Sequence, residues 1–164
     1  MTDPKYILNY DPAKMGPRRI TKAWAKTLAE VCPPVPAGGP DKAELDAIIG
    51  EARRIGKTHD PRTGLEGLAA AAILAKNSKT DGRWDVKNAR DSNGERRFAE
   101  GSKNPARASG NFLYGATSTA MGFSPFISDL GADIYSLAQK GELENEDRAI
   151  HRGQLYARLG CDRR

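Results

Sequence analysis

"SGNFLYGATSTAMGF", residues 109–123, sets five glycines or alanines among aromatic and aliphatic side chains and carries no charge, in a chain of 164 residues of which 29% are charged. If the stretch is helical, Phe112, Ala116, Thr119 and Ala120 share one face while Asn111, Gly115 and Ser118 share another, so small residues run down one side. Small residues let a second backbone, or a ligand, come close. The first occupant makes this a tightly packed core helix and the second makes it the wall of a site. Asn111 and Tyr114 are the side chains that suit a site, because an amide and a phenol can each donate and accept hydrogen bonds.

The rest of the chain is read outward from this stretch. Downstream, helices are predicted over 125–140, opened by Ser124-Pro125 and closed by Gly141, and over 144–159, with acidic residues in the first turn and Arg158 in the last. Upstream, "DKAELDAIIGEARRIG" opens with Asp41 as N-cap and Glu44 three residues on, a capping-box arrangement, and puts Leu45, Ile48, Ile49, Ala52 and Ile55 on one face. "LEGLAAAAILAKN" is alanine-rich and almost wholly apolar, as a central helix would be. Residues 83–105 combine Trp84, Val86 and Phe98 with Asn93-Gly94, which predicts a small β-hairpin or an irregular loop.

Near the start, "PRRITKAWAKTLAEVC" has helical spacing at Ile20, Ala23, Trp24, Leu28 and Val31. The "PPVPAGGP" of 33–40 cannot continue that helix, since its prolines lack amide donors and its glycines leave the backbone free. The organisation expected is therefore an amino-terminal arm and Pro/Gly linker, 1–40, followed by one main domain, 41–164. The fold class expected is mainly α, a single compact helical domain with a small β-hairpin or irregular excursion around residues 83–105.

Composition bounds the function classes. The net charge of +5 favours an anionic partner such as nucleic acid, an anionic wall polymer or an acidic inhibitor protein, although ordinary solubility explains so modest an excess equally well. No apolar stretch approaches the roughly 20 residues that span a bilayer, and the sequence as given has no export signal of its own. Cys32 and Cys161 are too few for a disulfide framework and have no metal-ligand spacing, which leaves a single staple between them open. Phosphate-binding glycine loops, Gly-x-Ser-x-Gly elbows and His-Glu-x-x-His are missing, so neither a metal nor a cofactor is expected.

Two further places could carry chemistry. In "RWDVKN", strand alternation would put Asp85 and Lys87 on one face beside Trp84, either as a surface ion pair next to a core tryptophan or as an acid, base or nucleophile with its charge partner. In "ENEDRAIHRG", Asp147 and His151 stand at i and i+4, where the carboxylate would orient the imidazole. His59, in a turn with no second ligand nearby, reads as surface.

Taken together, "RWDVKN", "GNFLYGATSTAMGFS", "LGADIYSLAQKG" and "EDRAIHRGQLYA" fall in an order and spacing that resembles the bacterial polymorphic toxin type 44 domain, over about residues 41–160. "GNFLYGA" is the specific part. The chain departs from the family at Ala108-Ser109, at Ser118, at Val86 in place of an aromatic, and at "ELENED" in place of an Asp-rich turn. The resemblance implies the carboxy-terminal toxin module of a secreted effector used in interbacterial competition. It further implies delivery into a target bacterium by a secretion-system component and a cognate immunity protein as partner.

Two mechanisms suit these residues. Hydrolysis of peptidoglycan glycan strands, in the manner of a muramidase, would use Glu51, Asp85 and Asp147 as candidate carboxyl groups, with Glu51 as the acid, and Trp84, Asn111 and Tyr114 to bind substrate in the periplasm. The alternative is a ribonuclease or DNase acting in the target cytoplasm, with His151 as base, Lys87 or an arginine steadying the phosphorane, and Arg96, Arg97, Lys103 and Arg107 on the nucleic acid. A membrane-disrupting toxin is disfavoured by short, glycine-broken apolar stretches.

Overall fold

The computed structural model describes residues 32–90, 93–98, 103–140 and 147–164, with the side chains of 103, 104, 134–140 and 147 left aside. Five α-helices run through these residues: α1 Lys42–Thr58, α2 Gly64–Ser78, α3 Lys103–Met121, α4 Pro125–Lys140 and α5 Asp147–Arg158, followed by a 3₁₀ turn at Cys161–Arg163. The domain is mainly α. The helix expected over 17–31 lies outside the described residues, as does the acidic turn before Asp147.

Local signals explain the first helix. The Asp41 carboxylate accepts the Glu44 backbone N–H at 2.8 Å, closing the N-terminus of α1, and Leu45, Ile49 and Ala52 are buried on one face. The Glu44 side chain does not complete a capping box. It pairs instead with Arg97 at 2.6 Å and so ties α1 to the loop that precedes α3.

The glycine-rich helix, α3, is the centre of the core. A Cβ at Gly115 would overlap the Ile150 carbonyl of α5, and one at Gly153 of α5 would overlap the Phe112 carbonyl of α3. The two helices therefore meet backbone to backbone, each through a glycine of its own, as small residues at a crossing permit. Phe112 and Leu113 are buried beside them, and the Phe112 ring meets Tyr156 edge-on at 5.6 Å between centroids. Gly56 of α1 admits the Met121 carbonyl in the same way at the end of α3.

The alanine-rich helix proves peripheral, contrary to expectation. Only Ala70 and Leu74 of α2 are buried, while Leu65 and Leu68 are 84% and 70% exposed. Alanines bury little area each, so α2 covers α3 with a narrow strip around Ala70, Ile73 and Leu74 and leaves Leu65 and Leu68 outside. The central place belongs to the helix whose glycines admit its neighbours most closely.

The excursion at 83–98 holds one isolated antiparallel bridge, Arg90 to Arg96, around Asn93 and Gly94, where Gly94 adopts φ +80°. Among the described residues it is otherwise turns. The Pro/Gly segment lies against the domain and is no free spacer. Val35 packs on the core, Gly39 leaves room only for Ser109, and Cys32 is bridged to Cys161 with Cα atoms 5.9 Å apart, 129 residues along the chain. Beside that staple, Arg53 of α1 grips both Asp162 oxygens at 2.9 and 2.7 Å and donates to the Ala157 carbonyl.

Candidate active site

A cleft of about 440 Å³ opens between α2, the loop 79–87, α3 and α4, with Ile150 of α5 also in its lining. Asp85, Lys87, Asn111 and Tyr114 all line it, together with Trp84. Each is placed by a feature of the motif that the sequence made conspicuous. A Cβ at Gly110 would overlap Lys87 Cε, so the lysine stem lies across the helix where glycine leaves space. One residue on, Asn111 borders the cleft, and Tyr114 follows nearly a turn later.

Tyr114 donates to the Ser128 carbonyl at 2.9 Å, and Gly131 of α4 leaves room for the phenol. Burial pushes the Tyr114 phenol up to about 12; the hydrogen bond to Ser128 opposes that shift and the Asp129 charge adds to it. The ring therefore stays a neutral hydrogen-bonding phenol at any physiological pH. Ser118 shares a 2.6 Å hydrogen bond with Ser128 and clamps α3 to α4 beneath the cleft.

Asp85 and Lys87 do not lie on a strand. The chain turns tightly here, with Asp81 at φ +60°. The Asp85 carboxylate accepts the Asp81 N–H at 2.8 Å, the Lys87 N–H at 3.2 Å and Asn88 Nδ2 at 2.7 Å. Asp85 thus meets Lys87 through the backbone, and its carboxylate fixes the shape of the cleft wall. Short polar side chains that bond their own backbone favour turns over strands, which is why alternation misread this segment.

Glu51 is not among the residues that line the cleft. It holds Arg83 at 3.0 Å and accepts the Trp84 indole N–H at 3.3 Å, so it supports the tryptophan from behind. That corrects its expected place as an acid beside the other carboxylates. His151 also stands behind the wall. Its described partner is Asp129 of α4, at 3.2 Å, and Gln154 donates to the other Asp129 oxygen at 2.8 Å. The Asp147 side chain lies outside the described residues.

Two carboxylates escaped the sequence reading. Asp129 orients His151, and Asp133 lines the cleft from α4, exposed to solvent. Their signal was present as an i, i+4 pair of carboxylates in the apolar run "ISDLGAD", where a helix face should not need them. Among the described residues no group of three or more His, Cys, Asp or Glu could hold a metal ion, and no helix is long and apolar enough to cross a membrane.

Comparison of the chain with protein-family models, with curated proteins and with solved structures finds no match.

Proposed function

We propose that this chain is an antibacterial effector toxin domain that hydrolyses the glycan strands of peptidoglycan, with Asp85 and Asp133 as the carboxyl groups on either side of the sugar. The observation that carries this reading is the make-up of the cleft: two carboxylates from separate elements, an amide and a neutral phenol around a wall of Trp84, Phe123 and Ile127. A sugar ring presents hydroxyls at its rim and C–H groups on its faces, and a glycosidase needs two carboxyl groups flanking the scissile bond. Solvent-exposed Asp133 is suited to exchange protons with water, while Asp85, held by three donors, stays fixed opposite the developing charge. Asn111 and Lys87 hold the sugar substituents.

The likeness of "RWDVKN" and "GNFLYGA" to the polymorphic toxin type 44 domain supports the same reading, with secretion, delivery to the target periplasm and a cognate immunity protein. The Cys32–Cys161 disulfide suits that oxidising compartment. A nuclease is the second reading, and the Asp129–His151 pair favours it, since a carboxylate-oriented imidazole is a general base.

Incubation with purified sacculi distinguishes the two. Release of soluble muropeptides, reduced about 100-fold or more by Asp133→Asn in a variant whose circular dichroism is unchanged, is the expected result. Sacculi left intact while RNA or DNA is cut, with cutting abolished by His151→Ala, would transfer the assignment to the nuclease.

A further inference from the structure

A second pocket, of about 420 Å³, adjoins the cleft and shares Asn111 with it. Arg107 of α3 and Arg148 and Arg152 of α5 line it over a floor that includes Phe112, and none of the described residues that line it is a carboxylate. Arg148 and Arg152 stand at i and i+4, so two like charges are neighbours on one helix face, an arrangement that costs stability in the absence of a counter-charge. The Arg152 Nε is buried and has no hydrogen-bond partner among the described residues. A buried guanidinium donor without an acceptor is costly, and a planar oxyanion with two acceptor oxygens is the group that best relieves it.

We propose that the pocket bounded by Arg107, Arg148 and Arg152 is a subsite for a carboxylate carried on the substrate, namely that of the stem peptide projecting from a glycan strand held in the cleft. The assignment rests on the glycan reading above. Asn111, which borders both spaces, lies where the sugar and its peptide branch would part. The substrate then is a strand bearing stem peptides, and naked glycan is a poorer ligand.

Calorimetric titration with two probes tests this: a disaccharide tetrapeptide muropeptide, which carries the carboxylates, and chitotetraose, which is neutral. The unmodified chain is expected to bind the muropeptide about 10- to 100-fold more tightly, the range of charge-assisted hydrogen bonds to an arginine. Arg152→Gln is expected to cut that preference about tenfold, and Arg148→Gln, at an exposed position, to cut it in the same direction. A preference unchanged in both variants overturns the subsite while leaving the glycan reading in place. Binding of neither sugar, with arginine-dependent binding of an RNA oligonucleotide, overturns both.

Discussion

The two sides of α3 use the same small residue to opposite ends. Toward α5, Gly115 and Gly153 each stand where a Cβ would strike the other helix's backbone, and nothing fits between. Toward the cleft, the spaces left by Gly110 and Gly131 are taken by the Lys87 stem and the Tyr114 hydroxyl. At the crossing, glycine admits a main chain and so sets the fold. At the cleft, it admits the side chain of a residue that borders the site.

The sharpest way to break the comparison is to release the end of the crossing. Reduction of Cys32–Cys161, or Cys161→Ser, is expected to cost about 4–5 kcal/mol in chemical denaturation, because the bridge closes a loop of 129 residues in the unfolded chain. Next, Gly153→Ala is expected to cost about 2–3 kcal/mol, the overpacking of two backbones outweighing the roughly 1 kcal/mol that alanine gains in a helix. An unchanged midpoint would mean that α3 and α5 do not touch as described.

On the cleft side the effects are smaller. Tyr114→Phe is expected to cost about 1 kcal/mol near neutral pH, from the hydrogen bond to Ser128. Because the phenol is raised from 10.0 to about 12, its contribution is complete below pH 10 and disappears as the pH climbs through 12. The Phe variant should therefore lose stability less steeply over that window, as thermal melts at stepped pH would register. Smallest of all, Gly50→Ala, in the middle of α1, where a Cβ would meet only Arg54 Nη1 at 4.0 Å, should stabilise by about 0.5–1 kcal/mol and mark the contrast with Gly153.

Sequence patterns identified much of the helical architecture because helical periodicity and end signals are local. Asp41 caps α1 as its spacing implies, and α4 begins at Pro125. The place of each helix was less legible. Alanine content suggested that α2 is central, yet glycines at matched heights on α3 and α5 decide which pair packs closest, and no property of either stretch alone reveals the match. In the cleft, Asp85, Lys87, Asn111 and Tyr114 could be picked out by residue type and motif. Asp133, the Asp129–His151 pair and the retreat of Glu51 behind Trp84 depend on how α4 and the loop 79–87 fold over α3. Those are relations between distant segments, and the cue for Asp129 and Asp133 was only a pair of carboxylates on an apolar helix.

The glycan-strand reading is tested most directly by expressing the chain in bacteria with and without a periplasmic signal peptide. Killing and release of muropeptides are expected only from the periplasm and are expected to be lost in Asp133→Asn. Killing from the cytoplasm with an intact wall would contradict that reading.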